Sequence, residues 1–244
     1  MLSLIEQFTR GDKEPMTTAE LHKALKDAGF DFNSLTSTVI ESGDLRTLSG
    51  KTKDYTISEG WNILSASECQ NLWTAHTLEL LMLIEKQGYN EDELLKALES
   101  VQTEHMHWDW VAKSCVYKSD EYRWFYLYAD KKPQGACLIY HPKESALSKL
   151  NIFYVEFFSS APWNTNCVVQ KREYLHVGSI LLKAVLKYCT EFLKLDAGFS
   201  LHSLPQANEY YQKLNMLNVE KLDKGEMLYF ELPNDDALKL LGAL

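Results

Sequence analysis

The chain has 244 residues, of which 45% are apolar, and carries a net charge of −9. That length allows one large domain or two small ones, with enough apolar residues for a packed core. The acidic balance argues against a general nucleic-acid binder, which needs clustered Lys and Arg to neutralise phosphate.

The five cysteines, Cys69, Cys115, Cys137, Cys167 and Cys189, are scattered and form no CxxC pair. They read as reduced thiols. The N-terminus carries Glu6 where a signal peptide wants a base, and no apolar run approaches the roughly 18 residues of a membrane helix. Together these features imply a cytoplasmic protein without membrane association.

In chain order, Thr17-Thr18-Ala19-Glu20 is a capping-box signature that opens a helix with Leu21, Ala24, Leu25 and Ala28 on one face. Asn33 to Ser42 reads as a second helix, with Leu35, Val39 and Ile40 inward and Gly43 as its stop. Leu45 to Leu48 and Tyr55 to Ile57 read as two short strands around Ser49-Gly50-Lys51, and Ser58 caps a helix holding Trp61, Ile63 and Leu64. This order resembles a winged-helix domain over residues 1–65, followed by a second domain over residues 66–244. Residues 1–64 hold seven bases and ten acids, and the presumed recognition helix has no Lys or Arg. A structural or protein-interaction module therefore outweighs DNA binding, for which only Arg46, Lys51 and Lys53 offer phosphate contacts.

Ser67 to Gly88 reads as an apolar-rich helix, and Asn90-Glu91-Asp92-Glu93 opens another that carries Leu94, Leu95, Leu98 and Val101. His105 and His107, with Cys115 nearby, lack a spacing that would hold a metal, so none is expected. His107-Trp108-Asp109-Trp110 is aromatic enough to line an acceptor pocket or to bury itself against a sheet. Arg123 to Ala129 and Gly135 to Tyr140 form a hairpin around Asp130-Lys131-Lys132-Pro133-Gln134.

Leu150 to Phe158 is the strongest strand. Strict alternation puts Ile152, Tyr154, Glu156 and Phe158 on one face and Phe153, Val155 and Phe157 on the other. Pro162 cannot donate to a ladder, so the strand opens near Ser159 and Ser160. A loop then leads through Lys171, Arg172 and Tyr174-Leu175-His176-Val177-Gly178-Ser179 into a helix. A glycine-bearing loop at a helix N-terminus offers free amides and a favourable dipole to an anion. Gly198 to Leu201 reads as a strand, Pro205 to Met216 as a short helix with its exit, and Val219 to Leu222 and Met227 to Leu232 as closing strands.

This order, with Ala207-Asn208-Glu209-Tyr210-Tyr211-Gln212-Lys213-Leu214-Asn215-Met216, resembles the acetyl-CoA core of the GNAT N-acetyltransferases over roughly 125 residues. The later motif matches well. In the phosphate loop Glu173 stands for a Gln or Arg, His176 stands for the first glycine, and only Gly178 matches. The resemblance implies an α+β fold with a mixed, mainly antiparallel sheet flanked by helices. It implies acetyl transfer from acetyl-CoA, as co-substrate, to a small-molecule or protein amine. Phe158, Ser159 and Ser160 would meet the pantetheine arm, and the amides of Leu175, His176, Val177, Gly178 and Ser179 would cradle the pyrophosphate, with Lys171 and Arg172 adding charge. Glu156 would be the general base, and Tyr211 would protonate the leaving thiolate. Two rivals stay open: a regulator with a ligand-sensing domain of this fold, and an inactive interaction protein that keeps the scaffold.

Overall fold

The computed structural model describes residues 16–35, 37–103 and 108–242. Eight strands form one sheet in the order β1-β2-β3-β4-β5-β6-β8-β7. They are β1 (Thr38–Arg46), β2 (Thr52–Glu59), β3 (Tyr122–Ala129), β4 (Lys132–Glu144), β5 (Asn151–Ser160), β6 (Phe199–Ser203), β7 (Leu217–Asn218) and β8 (Leu228–Leu232). Every pairing is antiparallel except β5 with β6. The expected mixed, mainly antiparallel sheet flanked by helices is therefore present.

The sheet has apolar residues on both faces, and helices cover both. On one face lies α5 (Val177–Glu191), whose Leu181, Leu182, Val185, Leu186 and Cys189 join Ile57, Phe125, Leu127, Cys137, Ile139, Phe153 and Val155 in one core. The opposite face is covered by α2 (Ile63–Glu85) and α4 (Trp110–Val116), where Trp73 and Trp110 pack on Trp124, Tyr126, Ala136 and Leu138. The alternation along β3 and β4 assigns each residue to its face. A third cluster joins α2 to α3 (Glu91–Glu99) through Leu80, Leu81, Ile84 and Ala97. Among the described residues, no helix is long and apolar enough to cross a membrane.

The N-terminal segment differs from expectation. The helix α1 (Thr18–Asp27) forms with its capping box. The second expected helix, Asn33 to Ser42, does not: a single 3-10 turn at Phe32–Ser34 leads into strand β1. The β-branched run Thr38-Val39-Ile40 favours an extended chain. A bulge between Val39 and Glu41 hides the two-residue period that would have revealed the strand. Gly43 stops no helix; it lies opposite Tyr55, whose ring would meet an added Cβ at 3.0 Å. The winged-helix arrangement is thus not seen among the described residues, and the helix that would have read a DNA groove is a strand. The expected helices from Ser58 and Ser67 are one, α2, which spans the proposed boundary at residue 65. Strand β2 pairs with β3, so the N-terminal hairpin extends the main sheet.

That continuity has a measurable consequence. Ile57 is fully buried beside Phe125 and Leu127 in the core under α5. Ile57→Ala is expected to cost about 2–5 kcal/mol. Denaturant unfolding followed by tryptophan fluorescence and by circular dichroism should shift as one transition; a separate early transition would restore an independent N-terminal module.

Three smaller differences complete the comparison. The segment after Trp110 begins with the helix α4 rather than a strand. Glu220–Leu222 is a 3-10 turn, and β7 is only Leu217–Asn218. The chain closes on an unexpected amphipathic helix, α7 (Asn234–Leu241), packed on α5; between β6 and β7 lies the expected short helix α6 (Asn208–Lys213).

Candidate functional site

The site arises where β5 and β6 part. These parallel strands pair at Phe153↔Phe199, Tyr154↔Ser200 and Val155↔Leu201, and no further. Strand β5 continues to Ser160, so its backbone groups facing β6 beyond Val155 have no strand partner there. Groups of this kind are costly to leave unpaired and are ready to bond a ligand.

Within the same stretch β5 carries an extra residue. Leu138 pairs with Phe157 and Ile139 with Val155, which leaves Glu156 between them without a partner. The bulge breaks the alternation expected for this strand. Phe153 and Val155 stay in the core under α5, but Phe157 turns to the other face and meets the rings of Trp108 and Tyr117.

Two cavities open into the wedge. The larger, of about 400 Å³, is lined on one side by Phe158, Ser159 and Ser160 and on another by His176, Val177, Gly178 and Ser179. Tyr210 and Tyr211 of α6 form a further wall. The smaller, of about 250 Å³, holds Tyr154, Glu156, Phe157, His202 and Lys224. Trp108, Phe158, Leu204, Ala207 and Tyr211 border both, so the two cavities are halves of one cleft.

The α5 N-terminus is shaped by its neighbours. The Leu175 amide donates to the Arg46 carbonyl at 2.8 Å, and the Leu48 amide donates to the Glu173 carbonyl at 3.1 Å, so the tip of the β1–β2 hairpin pins the loop. The Tyr174 amide donates to Asn164, and its hydroxyl donates to Asp130 at 2.6 Å. The Leu175 amide is thereby engaged, and the cradle expected over Leu175 to Ser179 shortens to His176 to Ser179. The first-turn amides have no carbonyl one turn earlier to bond, and they face the cavity with the helix dipole behind them. Arg172 lines the larger cavity, whereas Lys171 and Leu175 do not.

His176 caps α5 with φ 61° and ψ 18°, a left-handed conformation, and makes no side-chain capping bond. This is the position the resemblance gives to glycine, and the backbone geometry explains why glycine suits it. The left-handed region costs a residue with a Cβ about 1–2 kcal/mol. His176→Gly is accordingly expected to be about 1 kcal/mol more stable than His176→Ala in equilibrium unfolding. Equal stabilities would mean that the loop relaxes out of this conformation.

Electrostatics separate the two candidate catalytic groups. Half-buried Glu156 has its carboxyl pushed up by burial, an effect that Lys224 and Lys113 partly offset. Tyr211 is buried, and burial pushes its phenol well above the ordinary range. Its ring packs against Tyr210 and Phe230. The Ser179 hydroxyl lies 3.2 Å from that of Tyr210, which ties α5 to α6 across the cavity.

Several lining residues went unread in the sequence. His202 bonds the Leu222 carbonyl through Nε2 at 2.8 Å, so Nε2 is the donor and Nδ1 accepts from the Tyr154 hydroxyl at 2.6 Å. Burial lowers the His202 pKa, consistent with this neutral form. Lys113 lines neither cavity but lies 3.6 Å from the centroid of the lining Phe157 ring. None of these carries a local motif; their meeting depends on the β5–β6 pairing and the bulge. Trp108 does line the cleft, whereas Trp110 is buried. His105 and His107 lie outside the described residues.

No protein-family model and no curated protein matches the chain. Among solved structures, it is similar to Mycobacterium smegmatis RimJ in complex with CoA-disulfide, at 12% identity and a TM-score of 0.47, covering 83% of this chain and 94% of that one. It is also similar to the PaiA N-acetyltransferase from Thermoplasma acidophilum in complex with coenzyme A, at 13% identity and a TM-score of 0.41, covering 72% of this chain and 97% of that one. A third is the Campylobacter jejuni N-acetyltransferase PseH in complex with acetyl coenzyme A, at 14% identity and a TM-score of 0.35, covering 59% of this chain and 92% of that one.

Proposed function

We propose that this protein is an N-acetyltransferase that carries an acetyl group from acetyl-CoA directly to an amine. The observation that carries the reading is the wedge beyond Val155↔Leu201, which opens onto the free N-terminus of α5 in one cleft. A long ligand with a diphosphate at one end and an acyl thioester at the other suits such a cleft. Its pyrophosphate would lie on the amides of His176 to Ser179, with Arg172 beside it. Its pantetheine arm would run along Phe158 to Ser160 and take the backbone bonds that β6 leaves open. An amide near Ser159 would polarise the thioester carbonyl. The motif from Ala207 to Met216 supports the same reading.

In the transfer, the amine nitrogen attacks the thioester carbon, a C–N bond forms and the C–S bond breaks. Glu156 takes the proton that the nitrogen loses, directly or through one water, and the Tyr211 hydroxyl gives a proton to the departing sulfur. The environments suit these roles. Burial raises the Glu156 carboxyl toward the pH at which a base works well, and it keeps the Tyr211 phenol protonated.

Calorimetric titration with acetyl-CoA tests the reading. One site with a dissociation constant near micromolar, about −8 kcal/mol, is expected. A well-folded protein that gives no heat with acetyl-CoA overturns it and leaves a scaffold without its cofactor.

A further inference from the structure

The smaller cavity has an unusual charge balance for a site that would receive a protonated amine. Among the described residues that line it, Glu156 is the one carboxylate and Lys224 the one ammonium, while Lys113, not among them, rests on the Phe157 ring of its wall. Both ammonium groups act electrostatically on Glu156. Neither has a carboxylate within 4.0 Å among the described residues. Nearby Asp223 accepts bonds from the Asn218 amide group at 3.0 Å and the Tyr229 backbone amide at 2.7 Å. Asp109 caps α4 through the Ala112 amide, and its charge acts on Lys113. Burial lowers the His202 pKa, which favours its neutral form. With Glu156 ionised, the described lining residues carry one negative and one positive charge, and the balance turns positive when Glu156 takes up a proton.

A polyamine or a lysine-rich peptide would bring further ammonium groups beside Lys224, with no second carboxylate among the described lining residues to receive them. We infer that the acceptor is a small amine that also carries an oxyanion, a carboxylate or a phosphate, which Lys224 binds while Glu156 faces the amine. This assignment rests on the acetyl-transfer reading of the same cleft and narrows its substrate class. Lys224 is exposed and would meet the anion first, whereas Lys113 is half-buried against the Phe157 ring, its pKa lowered chiefly by burial. The cavity of about 250 Å³ suits a compact acceptor rather than a protein segment.

The experiment uses matched amines and follows release of free thiol from acetyl-CoA. The pairs are 4-aminobutanoate against butylamine and phosphoethanolamine against ethanolamine, with spermidine as the polycation. The expected result is at least a tenfold higher kcat/KM for the anionic member of one pair or both; which pair shows it separates carboxylate from phosphate. Lys224→Ala should remove that preference mainly through KM, and Lys224→Arg should restore most of it, which a merely structural role would not do. Equal rates within both pairs, faster turnover of spermidine, or no turnover of any amine by a protein that binds acetyl-CoA overturns the assignment alone. Failure to bind acetyl-CoA overturns the transfer reading and this assignment with it.

Discussion

Glu156→Gln is expected to lower kcat/KM by about 10²–10⁴-fold, the range lost when a positioned general base is removed. The substitution keeps the shape and loses the base. The pH profile makes the result diagnostic. Burial raises the Glu156 pKa, so the wild-type rate should climb as pH passes a value above the ordinary carboxylate range and then level off. In the Gln variant that limb should vanish, leaving a low rate with little acid dependence. Stability should move the other way. A carboxyl whose folded pKa exceeds its unfolded value stabilises the fold below the unfolded pKa, and that stability is lost as pH rises through the folded pKa. At neutral pH the wild type therefore holds a disfavoured ionised group, and Glu156→Gln should melt at the same temperature or higher. Below the carboxylate range the difference should close. A variant that loses activity together with stability at neutral pH would instead mark Glu156 as structural.

The two bulges explain much of what the sequence hid. In β1 the extra residue near Ile40 gave Leu35, Val39 and Ile40 the spacing of a helix face, and the strand was misread. In β5 the alternation held as far as Val155 and failed at Glu156. A bulge leaves no fixed signature, because it depends on which partner strand lies alongside. Elements whose signals are local were legible. The β3–β4 hairpin turns at Asp130 and Lys131, both left-handed, where a short polar turn had been expected. Helix α5 starts at Val177 with Gly178 in its first turn, and Tyr211 lies on a short helix as expected.

The candidate site divides along the same line. Residues expected to act through the backbone, from Phe158 to Ser160 and from His176 to Ser179, follow from element order and line one cavity. Residues that act through side chains from separate elements, such as Lys113, His202 and Lys224, meet only because β5 and β6 are parallel neighbours. Their sequence distances range from 22 to 111 residues, and nothing local links them. The β1–β2 hairpin adds a further element that sequence assigned elsewhere. Its tip holds the loop before α5 through Arg46 and Leu48, so a segment read as a separate module instead shapes one wall of the cleft.

Gly178→Trp is expected to weaken acetyl-CoA binding by at least about 100-fold, roughly 2.7 kcal/mol, without unfolding the protein. Gly178 is the second residue of α5, and its φ is not positive, so the backbone itself accepts a side chain. A Cβ there would meet Ser160 Oγ at 3.4 Å and the Phe158 ring at 3.5 Å, which is ordinary contact. Alanine therefore fits. It should stabilise the helix by about 0.4–1 kcal/mol and change binding far less than Trp. An indole extends past those contacts into the cavity, where the diphosphate would lie against the amides. Calorimetry on both variants, each checked by its melting temperature, separates loss of space from loss of fold. If the Trp variant melts normally and still binds acetyl-CoA as wild type does, the cofactor does not lie on the α5 N-terminus. The wedge between β5 and β6 would then need another occupant.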